Sequence, residues 1–187
     1  GNLWIGTYGG GINRLRDGAF SAIRQSDGLA EHVVSSILED EHGRLWTSGN
    51  LGIARVARAE LLDFAEGRTR RVRSVLYGVT DGLLLAETNG GFQPSAWKDA
   101  RGRLWYPTVR GLAVIDPTRV VARETAPLVA IEHVMVNGQE RPVTDALDVG
   151  GRTNLEFRYT GLSLSGPQHL RFRYRLLGFD EEWVEAG

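Results

Sequence analysis

The sequence predicts an all-β fold: a partial β-propeller of about two and a half four-stranded blades, then an incomplete immunoglobulin-like or fibronectin-like β-sandwich. Three observations carry this expectation. The phrase Gly-x-Leu-Trp occurs at 1–4, 43–46 and 102–105. Its tryptophans Trp4 and Trp46 stand 42 residues apart, the length of one propeller blade. From residue 125 that vocabulary stops and strict apolar–polar alternation takes over, in "NLEFRYTGLSL" (154–164) and "HLRFRYRLLGFD" (169–180).

Composition agrees. With 24 Gly, 5 Trp and 6 Pro among 187 residues, turns and aromatics are emphasised, as in repeat β-proteins. A net charge of −1 argues against a nucleic-acid surface. No cysteine is present, which removes disulfides and thiolate chemistry. No apolar run approaches a membrane span of about 18 residues, and the first ten residues do not read as a signal peptide. Residue 1 is not Met and already sits inside a repeat, so the chain reads as a piece cut at both ends.

Within one repeat, "VVSSILED" (33–40) is the first strand, "RLWTS" (44–48) the second and "GIARV" (52–56) the third, with turns at 41–44 and at Gly49-Asn50. Alternation sets Leu45 and Thr47 on one face and Trp46 on the other. Burying Trp46 between blades is worth about 2–3 kcal/mol or more, so Trp4, Trp46 and Trp105 read first as packing residues. The second interval, from Trp46 to Trp105, is 59 residues. An insertion at 58–71 explains the excess, with a short helix near 58–67. "SDGLAE" (26–31) and "TDGLLLAE" (80–87) each precede a blade's first strand and support the register. The expected domains are 1–124, the propeller blades, and 125–187, the start of the sandwich.

"VSSILEDEHGRLW" (34–46) resembles the two-component regulator propeller repeat, and 81–117 resembles the last blade before the sandwich in such sensors. Residues 154–187 resemble the three-tyrosine domain that follows it, with Tyr159 and Tyr174 as two of its tyrosines. The resemblance implies an extracytoplasmic, periplasmic sensing segment of an inner-membrane signal-transduction protein. A transmembrane helix and a cytoplasmic output module would follow, often a histidine kinase and sometimes a diguanylate cyclase.

The histidines His32, His42, His133 and His169 have no metal-binding spacing, no nucleophile elbow occurs, and "YGGGIN" (8–13) is neither a dinucleotide fingerprint nor a P-loop. Glu39, Asp40 and Glu41 read as a solvated turn cluster, and "RTRRVR" (68–73) as an exposed basic edge. No cofactor, metal or catalytic residue is expected. The connections that share one propeller face carry Tyr8, Asn50, Glu87, Asn89 and Arg110, the candidate ligand-binding residues. Arg110 and Glu87 are the least explained by turn geometry. The expected partners are a small molecule or oligosaccharide, the remainder of the propeller and, in the full-length form, a second copy. A secreted propeller lyase or glycosidase with an accessory sandwich is the alternative.

Overall fold

The computed structural model describes residues 1–120, 128–144, 148–162, 170 and 172–186. These fall into two compact units, Gly1–Val121 and Ala122–Gly187. Among the described residues the fold is all-β apart from one short helix and two single 3-10 turns.

The first unit holds three antiparallel meanders. The first contains β1 (Leu3–Thr7), β2 (Gly11–Arg16) and β3 (Ala19–Ile23), in that order. The second contains β4 (Ser36–Glu39), β5 (Arg44–Ser48), β6 (Ile53–Ala57) and, after helix α1 (Arg58–Ala65), β7 (Ser74–Tyr77). The third contains β8 (Trp97–Lys98), β9 (Leu104–Thr108) and β10 (Gly111–Ile115).

Adjacent residues on a strand point to opposite faces, so each Leu-Trp pair serves two layers. Leu45 lies opposite Val56 across β5 and β6, and Ile37 lies two residues along the same face. This face meets Ile12, Ile23 and Trp4 of the first sheet in one core cluster. Trp46 lies opposite Leu38, two residues from Ile53 and Tyr77, and that face meets Leu104, Tyr106, Ala113 and Ile115 of the third sheet in a second cluster. Both faces of the second sheet are therefore buried. Trp46 has no exposed surface, whereas Trp4 and Trp105 are half-buried.

The first strand of the second sheet is shorter than 33–40. Val33 bridges Tyr8, the Val34 N–H donates to the Thr7 carbonyl, and the Ser35 N–H donates to the Ser48 carbonyl. Residues 33–35 thus cross between sheets, and the ladder starts at Ser36. The inserted helix buries Leu61 fully in the first core cluster, with Phe64 packed against it. Acids on and just beyond that helix neutralise much of the basic run: Asp63 and Glu66 pair with Arg68, and Glu60 with Arg73. Val72 within the run is buried, its N–H donating to the Asp27 carbonyl.

In the second unit, β11 (Leu128–Val136) pairs with β12 (Gln139–Arg141) across an Asn137-Gly138 turn. Both turn residues have positive φ, as a two-residue type I′ hairpin requires. β13 (Leu155–Leu162) runs antiparallel to β11, with a bulge between Ile131 and His133. Of the alternating segment 169–180, only β14 (Arg173–Tyr174) is a strand among the described residues, paired with β15 (Val184–Glu185). The chain then turns through 176–180, where the Leu176 carbonyl accepts from the Phe179 and Asp180 N–H groups. His169 and Arg171 lie outside the described residues.

The first and second sheets approach closely at Gly6, where a Cβ would stand 2.5 Å from the Val34 carbonyl oxygen. Gly6→Ala is expected to cost about 1–3 kcal/mol by urea denaturation. Gly150→Ala, which meets nothing within 4 Å, is expected to stay within about 0.5 kcal/mol.

Candidate functional site

Three features of the first unit combine polar groups in a fixed geometry. The first is a clamp at each tight turn that leads into a tryptophan strand. The Asp40 carboxylate accepts from the backbone N–H of His42 (2.9 Å) and of Arg44 (3.0 Å) through Oδ1. Its Oδ2 accepts from Arg44 Nε (2.7 Å) and Trp46 Nε1 (2.7 Å). Four donors match the acceptor capacity of a carboxylate. Asp40 is 5% exposed, so it is not the solvated turn carboxylate the sequence reading expected. It holds the turn and satisfies the buried indole.

Asp99 repeats the arrangement with the Arg101 and Arg103 N–H groups, Arg103 Nε and Trp105 Nε1. The spacing is Asp, then Arg four residues on, then Trp six residues on, so the signal was present in the sequence as "DEHGRLW" and "DARGRLW". Burial works to raise both aspartate carboxyls. The indole, backbone and guanidinium hydrogen bonds outweigh it, leaving Asp40 below its ordinary value and Asp99 at about 2. Both clamps therefore carry a charged carboxylate at neutral pH.

The second feature is the end of the sheets where the candidate residues lie. Tyr8 is 85% exposed beside the β1–β2 turn. Asn50 is exposed in the β5–β6 turn, and Arg110 is exposed in the β9–β10 turn. Glu87 is exposed and Asn89 half-buried, on the segment that precedes β8. Backbone contacts gather several of these positions. Thr88 donates through its N–H and its hydroxyl to the Gly49 carbonyl and bridges Thr108, while the Asn89 N–H donates to the Pro107 carbonyl.

Two of the turns are closed by the same device, and the third by another. Thr7 accepts from the Gly10 N–H, and Thr108 accepts from the Arg110 N–H. In the second sheet the same position is Gly49, and the buried Glu31 takes over, accepting from the Asn50 and Leu51 N–H groups at 2.7 and 3.0 Å. A Cβ at Gly49 would stand 2.3 Å from Glu31 Oε2. The two features go together: the missing side chain makes room for the carboxylate.

The third feature is a cleft of about 480 Å³. It is lined by residues of β1 (Trp4–Gly6), by Val34–Leu38, and by Gln93, Ser95 and Ala96 ahead of β8. Its lining carries no ionisable side chain. Trp4 supplies an aromatic surface, and Ser35, Ser36, Gln93 and Ser95 supply neutral hydrogen-bonding groups. Ser95 Oγ donates to the Ser35 carbonyl at 3.2 Å, and the Ser36 and Ser48 hydroxyls are 2.7 Å apart, so part of this polar lining is fixed. None of Tyr8, Asn50, Glu87, Asn89 or Arg110 lines it. Small serines on an inner strand give no sequence pattern that separates a cleft wall from a turn. In the second unit, Tyr159 packs at 5.1 Å on Phe172, and Tyr174 is 50% exposed.

Among the described residues no group of three or more histidine, aspartate or glutamate side chains is placed to hold a metal. Among them, too, no helix is long and apolar enough to cross a membrane.

No family model matches the chain. It is 22% identical to Histidine kinase P4 of Formosa agariphila over an alignment of 173 residues that covers 85% of the chain and 12% of that protein. Its structure aligns over its full length with 25% of the extracellular domain of BT3049, assigned to a hybrid two-component system of B. thetaiotaomicron, at a TM-score of 0.57 and 16% identity. That likeness establishes a shared fold. The extracellular domain of BT4673, assigned to a one-component system of the same bacterium, aligns at a TM-score of 0.27 and 17% identity over 37% of that chain, too low to bear on the fold.

Asp40→Ala leaves the buried Trp46 N–H without its acceptor, and is expected to cost about 1–3 kcal/mol in urea. The clamps also set a pH dependence. A carboxyl depressed in the folded state contributes stability that is complete above its unfolded value near 4 and is lost as pH falls through its folded value. The unfolding midpoint should therefore hold above about pH 5 and drop between about pH 4 and pH 2. The double variant Asp40→Asn, Asp99→Asn should flatten that drop.

Proposed function

We propose that this chain is a non-catalytic sensing segment of a two-component signal-transduction protein, exposed outside the cytoplasmic membrane. The three meanders are successive propeller blades, and residues 125–187 begin a three-tyrosine sandwich that passes a change toward a membrane helix and a histidine kinase. The observation that carries this reading is the alignment of the entire chain with an extracellular domain of a hybrid two-component system. The match to Histidine kinase P4 over 85% of the chain supports it.

The cleft beside Trp4 is the ligand site in this reading. Its uncharged, hydroxyl-rich and aromatic lining favours a neutral polar ligand, with an oligosaccharide as the class that stacks a ring face on indole while hydrogen-bonding serine and glutamine. Tyr8, Asn50, Glu87, Asn89 and Arg110 form a second, more polar rim at the turn end, suited to the charged or outer portion of a longer ligand. A ligand shifts a signalling equilibrium only through unequal affinity for the two states, so the inner strand edges that line the cleft are the element it must move.

Isothermal titration of the chain against neutral oligosaccharides of two to six sugars tests the reading. Saturable binding is expected, weakened about fivefold or more (about 1 kcal/mol) by Gln93→Ala, with no new reducing ends released. Release of reducing ends would favour the lyase or glycosidase alternative. Absence of binding across the panel, together with unchanged kinase output after deletion of 1–120 from the parent protein, would overturn the sensing role.

A further inference from the structure

The segment that joins the second sheet to the third is pinned at two places and free between them. On one side the Thr88 N–H and hydroxyl donate to the Gly49 carbonyl, and the Asn89 N–H donates to the Pro107 carbonyl. On the other side Ser95 is buried with its hydroxyl on the Ser35 carbonyl, and Ala96 packs in the second core cluster. Between these anchors, residues 90–94 ("GGFQP") form neither helix nor strand. Among the described residues they have no hydrogen-bond partner.

This free span runs along the cleft. Gly90 rests on Ser35, where a Cβ would stand 2.6 Å from Oγ, and both Ser35 and Gln93 line the cleft. Gly91 has a φ of 86°, which glycine adopts at no steric cost. Phe92 comes next, and its Cα lies about 3.8 Å from that of Gln93. Its ring is 76% exposed and belongs to neither core cluster. The fold therefore makes no use of the largest apolar side chain on the span. The cleft has one aromatic wall, Trp4. A sugar ring has two faces, and stacking one of them on Trp4 leaves the other in water.

We propose that residues 90–94 are a strap that closes on an occupied cleft, bringing Phe92 onto the sugar face that Trp4 leaves open. The proposal rests on the sugar-site reading above and adds to it a second aromatic and a moving part. Closure supplies the unequal affinity for two states that signalling needs: the open strap offers the ligand Trp4 alone, and the closed strap offers both rings. The Gly90-Gly91 pair absorbs the change in backbone angles, and no strand ladder has to break.

Chymotrypsin digestion of the full chain, with cut sites assigned by mass spectrometry, tests the strap. Tyr8 is 85% exposed, more than Phe92, but its turn is tied by the Gly9, Gly10 and Gly11 N–H groups to Thr7 and His32. Exposure alone would have Tyr8 cut at least as fast. A free strap should be cut after Phe92 about tenfold faster than after Tyr8. Neutral gluco- and manno-oligosaccharides of two to six sugars are then titrated, and the tightest binder is added at saturation. It should slow the Phe92 cut about tenfold and leave the Tyr8 cut unchanged. Phe92→Ala should raise the dissociation constant for that sugar about tenfold with an unchanged urea midpoint, and Phe92→Tyr should restore it to within about twofold. A Phe92 cut no faster than the Tyr8 cut in the free chain overturns the proposal. So does a bound sugar that leaves the Phe92 cut unslowed, or one whose affinity Phe92→Ala does not change. A panel in which no sugar binds is a different failure, since it removes the sugar site itself and with it what the strap closes on.

Discussion

The first unit depends on one residue that is held by two unrelated forces. The Trp46 ring fills the space between the second and third sheets, stacked on Tyr77 at 5.6 Å, with the Arg55 guanidinium 5.7 Å from its centroid. Its N–H would be a costly buried orphan without the Asp40 carboxylate. That same carboxylate closes the turn leading into β5, so the side chain that satisfies the indole also fixes the strand that presents it. Arg44 completes the link by donating to Asp40 and, through Nη2, to the Pro117 carbonyl beyond the third sheet. Turn, strand and inter-sheet packing are thus coupled at one point. The Asp99–Trp105 repeat extends the same device to a face that is half open.

Much of this was legible in the sequence. The Gly-x-Leu-Trp spacing located β5 to the residue, because turn glycine and alternation leave little freedom there. Asn-Gly is a strong type I′ hairpin signal, and at Asn137-Gly138 it joins β11 to β12. The limits of the reading have physical causes. Val33–Ser35 have strand-forming side chains, yet their backbone groups serve neighbouring sheets, and propensity does not encode the partner. Asp40 looked solvated because it sits among charges at a turn. Its burial comes from Trp46 and Arg44 folding back over it, a contact four and six residues distant. The segment 169–180 alternates at its start, but Leu176–Asp180 closes a turn that ends the alternation early.

The candidate site shows the same division. Tyr8, Asn50, Glu87, Asn89 and Arg110 follow from the expectation that connections at one end of a propeller share a face; the structure shows Thr88 in contact with Gly49 and Thr108 near that end. The cleft lies elsewhere, along β1, β4 and the segment before β8. Its serines carry no motif, and their significance arises from two strands and the segment before β8 converging. Glu31 is a further case: its carboxylate replaces a threonine that the other two turns use, a substitution visible once Gly49 is aligned with Thr7 and Thr108.

Hydrogen exchange of the tryptophan indole N–H groups, followed by NMR on the nitrogen-labelled chain, tests the coupling of ring burial to the aspartate clamp most directly. Trp46 is fully buried and bonded to Asp40, Trp105 is half-buried and bonded to Asp99, and Trp97 and Trp183 are exposed. The account predicts that the Trp46 indole exchanges slowest, Trp105 next, and Trp97 and Trp183 fastest. A Trp46 indole that exchanges as fast as Trp97 would contradict it.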